Sequence, residues 1–211
     1  MADFGFVDME TLIWQLVDRF LPAEGEWDQT RGFRPDLITR VDDLVMVGDR
    51  AVLWSPGEDS YEPYIPPGRH PVYVGSVECG DPETDREWRA ASLLFVALAE
   101  PERLADAQWY QGDYADFRPV RDYVLLCDRQ AWALSNDPVR GSAVDAFIGD
   151  VEGPATAGRL GSPSEWPSRV VDDESGVNVL ALPIMQQALI DVLGGDDEEL
   201  LAVMYLSYSF G

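Results

Sequence analysis

Two stretches decide the fold prediction: Pro71-Val72-Tyr73-Val74-Gly75-Ser76-Val77-Glu78 and Trp88-Arg89-Ala90-Ala91-Ser92-Leu93-Leu94-Phe95-Val96-Ala97-Leu98-Ala99. The first alternates in the manner of a β-strand, whose successive side chains point to opposite faces. The second is almost continuously apolar, which is typical of a long, buried strand. We therefore predict a β-rich core built around these two strands.

Further strands are predicted on both sides of this pair. Leu44–Val47 and Ala51–Trp54 flank the turn residues Gly48-Asp49-Arg50, which favours a hairpin between them. Later in the chain, short apolar runs predict three more strands: Tyr123–Cys127, Val177–Leu182 and Leu201–Tyr208.

Helical spacing of apolar residues is found near both ends of the chain. Asp8 or Thr11 is a suitable N-cap for an amphipathic helix at 8–21, which Pro22 follows. Ile184–Leu193 has the same spacing and stops before two glycines, so it also predicts a helix. Two shorter helices are expected, one from Pro101 through Trp109 and one that Asp128 caps.

Strands outnumber helices and follow one another through short turns. This order favours an α+β fold with mostly antiparallel β-sheet, an N-terminal amphipathic helix and short connecting helices. We expect a single domain over 1–211, because about 200 residues can bury one large core. Its parts would be the helix at 8–21, a β-rich core at 41–135, a long loop excursion at 136–169 and a strand-helix-strand unit at 177–208.

The charge of the chain is strongly negative. It has 39 acidic residues against 15 basic ones, all of them arginine, which gives a net charge of −24 and a pI of about 4.1. Recognition of nucleic-acid phosphates or anionic lipid requires Lys/Arg contacts, so direct binding to either is not expected. The excess of acidic over basic residues is largest in residues 141–211. With 46% hydrophobic residues, the acidity does not predict disorder.

The sequence carries none of the usual catalytic or cofactor motifs. One histidine (His70) and two distant cysteines (Cys79, Cys127) do not have the spacing of a zinc site. The residues after Gly194-Gly195 are four acids, which would repel phosphate. We therefore predict no catalytic residue, no metal and no cofactor.

The location of the protein is predicted from what the sequence lacks. Its first residues have neither a basic segment nor a long apolar stretch, so no signal peptide is indicated. The apolar runs are shorter than the roughly 20 residues of a membrane span. We expect a soluble, cytoplasmic protein with two free thiols and no membrane partner.

Part of the chain resembles the uncharacterised bacterial family called domain of unknown function 4241. The resemblance covers roughly residues 44–128. It is carried by Leu44–Ser55, by Ile65-Pro66-Pro67-Gly68-Arg69-His70-Pro71-Val72-Tyr73-Val74, by Arg89–Val96 and by Val124–Asp128. It implies a bacterial origin and a β-rich fold, and it assigns no catalytic residues. In the family motif an aromatic residue takes the place of His70, which implies a packing role for this side chain.

Candidate binding residues lie where acids and aromatic side chains share a loop, or where acids are adjacent. Aromatic residues anchor interfaces, and acids accelerate association with a basic partner. These side chains could instead fold inward or solvate ordinary loops. The candidates are Trp27, Asp28, Glu58, Asp59, Tyr61, Glu62, Tyr64, Asp113, Tyr114, Asp116, Asp172, Asp173, Glu174, Asp196, Asp197 and Glu198.

The sequence favours a non-enzymatic binding protein. The leading hypothesis is a bacterial immunity or antitoxin-type inhibitor that neutralises a basic toxin or effector. Two alternatives stay open: a nucleic-acid mimic that occupies a DNA-binding enzyme, and a hydrolase that uses a pair of carboxylates. A further alternative is that the acidity reflects adaptation to salt or to genome composition rather than a partner.

Overall fold

The computed structural model describes residues 8–20, 30–32, 34–56, 59–81, 86–111, 118–120, 123–134, 147–150, 166, 168–184, 188–195 and 201–210. The helices are α1 (Met9–Phe20), α2 (Pro101–Ala105) and α3 (Arg129–Leu134). The strands are β1 (Thr30–Gly32), β2 (Leu37–Met46), β3 (Ala51–Trp54), β4 (Gly68–Asp81), β5 (Arg86–Ala97), β6 (Tyr110–Gln111), β7 (Arg118–Val120), β8 (Tyr123–Asp128), β9 (Ser168–Val170), β10 (Asn178–Pro183), β11 (Ala188–Gly194) and β12 (Ala202–Phe210).

The strands form two antiparallel sheets. The larger sheet has the order β2-β4-β5-β12-β11-β6, with β1 paired to β12 and β7 paired to β11. The smaller sheet has the order β3-β8-β10-β9. The predicted α+β class with mostly antiparallel sheet and an N-terminal helix is therefore confirmed.

The larger sheet is covered on both faces by apolar side chains. Leu94 and Val96 of β5 belong to a core shared with the smaller sheet. Leu93 and Phe95, their neighbours along the strand, belong to a second core beneath α1 and α2. Because successive side chains of a strand point to opposite faces, a strand buried on both faces is apolar at every position. This explains the continuous apolar run that identified β5 in the sequence.

Helix α1 packs its apolar side on the larger sheet. Asp8 caps the helix, because its Oδ2 accepts hydrogen bonds from the backbone N (3.2 Å) and the Oγ1 (2.9 Å) of Thr11. The buried side chains of α1 are Met9, Leu12, Ile13, Leu16 and Val17. Their helical spacing is the one from which the helix was predicted, and the cap confirms one of the two proposed capping residues.

The predicted hairpin around Gly48-Asp49-Arg50 is wrong. Strand β2 pairs with β4 in the larger sheet, whereas β3 pairs with β8 in the smaller sheet. The turn between them therefore carries the chain from one sheet to the other. Local turn residues do not distinguish a hairpin from such a crossover, since the difference lies in which distant strand offers its hydrogen-bonding edge.

The predicted helix at Ile184–Leu193 is also wrong, so the unit at 177–208 contains three strands instead of strand-helix-strand. Residues Ala188–Gly194 form β11, which pairs with β12 from Ala188↔Ser209 to Gly194↔Val203. Pairing with β12 satisfies the backbone hydrogen-bonding groups that a helix would have satisfied locally. The tertiary environment thus overrides the helical spacing of the apolar residues.

Two other regions differ from expectation in extent. Helix α2 ends at Ala105, four residues before the predicted end at Trp109. Most of the predicted loop excursion at 136–169 lies outside the described residues. Its described parts include a helical turn at 147–150 and the start of β9, so they contain regular structure.

Candidate interaction surface

The acid–aromatic segment at 59–64 lies along the outer edge of β3. Tyr61 and Leu53 exchange two backbone hydrogen bonds of 2.8 Å, and the backbone N of Ala51 donates to the carbonyl of Pro63 at 3.0 Å. The segment therefore continues the smaller sheet by one irregular strand position. This pairing fixes which of its side chains face the core and which face solvent.

The candidate side chains of this segment have different roles. Tyr61 is half-buried against the core between the sheets, so it anchors the segment. Glu62 forms an ion pair with Arg129 (3.3 Å). Tyr64 is 47% exposed, with the Arg50 guanidinium 5.9 Å from its ring centroid. Asp59 is exposed. Tyr64 and Asp59 are thus the members available to a partner.

The acidic run Asp172-Asp173-Glu174 forms the tip of the β9–β10 hairpin. Asp172 is used within the turn, because its Oδ2 accepts hydrogen bonds from the backbone N (3.2 Å) and the Oγ (2.6 Å) of Ser175. The turn closes through Gly176, whose φ of +73° favours glycine. Asp173 and Glu174 are exposed. The structure therefore separates one structural acid from two that face solvent.

A buried carboxylate holds the crossover turn against the smaller sheet. Asp128 is completely buried at the end of β8. Its Oδ2 accepts hydrogen bonds from the backbone N of Val47 (2.9 Å) and Gly48 (2.8 Å). Its Oδ1 accepts one from the backbone N of Gln130 at 2.5 Å, which caps α3 as predicted. This contact places the exposed residues Val47 and Asp49 at the end of the smaller sheet.

A buried amide ties the two sheets together at the same end. The Asn178 Oδ1 accepts a hydrogen bond from the backbone N of Val45 at 3.0 Å, and its Nδ2 donates to the carbonyl of Asp43 at 2.8 Å. On β9 the residue opposite Asn178 is Val170, which is 51% exposed. The edge strand β2 and the edge strand β9 therefore meet at Asn178, with Val170 beside it.

These contacts assemble one surface at the end of the smaller sheet, which we call the turn end. Its members are exposed side chains brought together by β2, β3, β9 and the hairpin tip. They are Val47, Asp49, Tyr64, Val170, Asp173 and Glu174. Among the large apolar side chains exposed in the described residues, only Leu37 lies elsewhere.

Sequence reasoning identified half of the turn end. Tyr64, Asp173 and Glu174 were candidates, whereas Val47, Asp49 and Val170 were missed. A single valine beside a turn is an ordinary feature of a sequence, and no local signal marks it as exposed. Of the other candidates, Asp59, Tyr61, Glu62 and Asp172 are described but do not belong to the turn end. The rest lie outside the residues whose side chains are described: Trp27, Asp28, Glu58, Asp113, Tyr114, Asp116, Asp196, Asp197 and Glu198.

His70 and Cys127 are both buried side chains. His70 is buried, and its Nε2 lies 2.7 Å from the carbonyl oxygen of Pro66. Burial, with a smaller contribution from the neighbouring Asp128, raises the pKa of the Cys127 thiol to about 12. A thiol with that pKa is a poor nucleophile at neutral pH. Within the described residues no group of His, Cys, Asp and Glu side chains has the arrangement of a metal site.

Comparisons with known proteins identify no relative. No protein-family model matches the chain, so the resemblance to the family of unknown function stays a prediction. No curated protein and no solved structure matches it either. Among the described helices, none combines the length and the apolar character needed to cross a membrane.

Proposed function

We propose that the chain is an acidic binding protein of the bacterial immunity or antitoxin type. It acts in the cytoplasm and neutralises a basic toxin or effector protein by direct binding. It needs no cofactor and performs no reaction of its own. The proposed partner is a protein with a basic surface, and the chain would act by covering that surface.

The observation that supports this proposal is how the chain uses its positive charges. Several arginines form ion pairs with carboxylates of the same chain, and each pair neutralises one of the few basic groups available. The pairs are Arg34–Asp18, Arg40–Asp43, Arg69–Asp43, Arg89–Asp36, Arg129–Glu62 and Arg169–Asp150. Because acids outnumber bases by 24, the charge that these pairs leave uncompensated is negative, which favours encounter with a basic protein.

Exposed acids with a nearby aromatic residue give this charge a defined geometry. Asp59 and Tyr64 are exposed on the segment beside β3. Asp173 and Glu174 are exposed on the β9–β10 hairpin, at the other edge of the smaller sheet, and form no ion pair with a described residue. Tyrosine supplies contact area at a low entropic cost, and unpaired acids steer the partner toward it. A binding protein needs both features, whereas solubility alone requires only the charge.

The direct test is capture from a lysate of the source cells, with an unrelated acidic domain of equal net charge as the control bait. At about 0.01 M ionic strength we expect a basic protein on this chain and not on the control, with less of it at about 0.15 M. An equimolar amount of the chain should then stop the activity of the captured protein. Recovery of the same proteins on both baits, or an unaffected activity, would contradict the proposal.

A further inference from the structure

We infer that the turn end is the docking surface, and that its occupant is a segment of the partner protein that combines Arg or Lys with an apolar side chain. This inference rests on the proposed function and adds a location and a recognition chemistry to it. It starts from the joint placement of Val47, Tyr64 and Val170 with three acids at one end of the smaller sheet.

The apolar members are placed together by hydrogen bonds between distant parts of the chain. Val47 is held by Asp128, and Val170 lies opposite Asn178, which binds β2 two residues before Val47. On the other side, the backbone N of Ile65 donates to the carbonyl of Asp49 at 3.2 Å, which brings Tyr64 beside the crossover turn. These contacts place Val170, Val47 and Tyr64 at the same end of the smaller sheet.

The size of this surface suits a protein partner. From the segment beside β3 to β9 there are five strand positions, which span about 19 Å at the usual spacing between strands. A standard interface buries roughly 800 Å² on each partner, which is a disc roughly 30 Å across. The turn end therefore fits inside such a disc, with Tyr64 near one edge of the smaller sheet and Val170 near the other.

The charge of the turn end decides which partner it fits. Asp49, Asp173 and Glu174 are exposed acids. The bases at this end have contacts of their own. Arg129 pairs with Glu62, Arg69 with Asp43 and Arg169 with Asp150. Arg50 lies over the Tyr64 ring and donates to the carbonyl of Glu62 at 3.5 Å. The surface thus offers acids and apolar side chains at one end of the sheet, which is complementary to a segment that combines basic residues with an apolar one.

The test uses a library of cyclic peptides displayed on phage, selected on the folded chain. We expect the selected peptides to contain Arg or Lys next to an apolar residue. Their affinity should fall about tenfold on Tyr64→Ala, and by a similar factor on the double variant Asp173→Ser/Glu174→Ser. Urea unfolding of each variant should give an unchanged midpoint, because all three side chains are exposed.

Matched controls lie elsewhere on the molecule. Leu37→Ala removes an exposed apolar side chain at the far end of β2, about 30 Å from Val47 along that strand. Glu100→Ser/Glu102→Ser removes two exposed acids at the start of α2. Both controls should bind the peptides as the wild type does. The inference would be overturned if the controls and the turn-end variants lost peptide affinity equally, or if the selection returned no basic peptides.

The outcomes separate this inference from the proposed function. If the peptides bind elsewhere while the lysate experiment still recovers a salt-sensitive basic protein that the chain inhibits, the location is wrong and the function stands. If the peptides require Tyr64 and the two hairpin acids while the lysate experiment recovers no basic protein, the function is wrong. In that case the turn end remains a site for basic peptides.

Discussion

The carboxylate of Asp128 and the backbone N of Gly48 are joined by a hydrogen bond of 2.8 Å across 80 positions of sequence. The turn packs closely against α3 here, since a Cβ at Gly48 would lie 3.3 Å from the Nε2 of Gln130 and 3.5 Å from the Oδ2 of Asp128. The contact determines where the chain leaves the larger sheet and enters the smaller one. It therefore also determines the position of Val47 and Asp49 at the turn end.

Replacing Asp128 with asparagine should destabilise the fold. One of its two oxygens becomes an NH2 group that faces backbone N–H donors, so at least one buried hydrogen bond is replaced by two opposed donors. We expect the free energy of unfolding to fall by about 2–4 kcal/mol in urea titrations. Asp49→Asn, at an exposed position on the same turn, should change it by less than about 0.5 kcal/mol. Equal changes in the free energy of unfolding at the two positions would argue against Asp128 as the residue that holds the crossover turn.

Replacing Gly75 with alanine should strain the larger sheet. A Cβ at Gly75 would lie 2.9 Å from the Cβ of Pro35 and 3.0 Å from the Cβ of Leu93, closer than carbon atoms pack. We expect a loss of about 1–3 kcal/mol in the free energy of unfolding. Gly149→Ala is the control, because a Cβ at Gly149 would meet no atom within 4 Å, so the stability of this variant should be unchanged or slightly higher. A neutral Gly75→Ala would mean that β4 and the Pro35 loop move apart freely.

Replacing Asn178 with aspartate should give a pH-dependent loss of stability. The Nδ2 that donates to the carbonyl of Asp43 becomes a carboxylate oxygen, so two acceptors face each other in a buried site. Burial and this carbonyl raise the pKa of the new carboxyl in the folded state. The loss is therefore present at neutral pH, about 3 kcal/mol, and decreases as the pH falls toward about 4.

Asn178→Ala is the matched control for this pH dependence. It removes the same hydrogen bonds without adding a titratable group, so its cost should be similar at pH 4 and pH 7. Urea unfolding at both pH values gives the comparison. A pH-independent loss for Asn178→Asp would show that the side chain does not face the Asp43 carbonyl.

The Cys127 thiol should react only when the protein unfolds. In a Cys79→Ser background, a chromogenic disulfide reagent at pH 8 should leave the native protein unmodified and react with one thiol in denaturant, because burial keeps this thiol protonated. Rapid modification of the native protein would contradict the buried position. The pKa of the Cys127 thiol is raised from 9.0 to about 12 in the folded state, so above about pH 9 the unfolded chain loses this proton first. The stability contributed by the buried thiol is therefore complete below about pH 9 and is lost as the pH rises toward 12.

The elements that sequence predicted correctly are those whose pattern is local. The 3.6-residue spacing of α1, the apolar run of β5 and the capping role of Asp128 each depend on residues within one element. The predictions of a hairpin at Gly48 and of a helix at Ile184–Leu193 were wrong, because the structure of these segments depends on strands far along the chain. Strand β11 exists because β12 offers it an edge, and the apolar spacing of β11 alone is compatible with a helix.

The same distinction between local and long-range information applies to the residues of the turn end. The sequence by itself determined that the protein is acidic, that its basic groups are few, and that Tyr64, Asp173 and Glu174 are candidates for an interface. Only the tertiary structure decided that these three residues share one end of a sheet with Val47, Asp49 and Val170. The reason is that this proximity depends on strand register and on the buried side chains of Asp128 and Asn178, which connect residues about 80 and 130 positions apart.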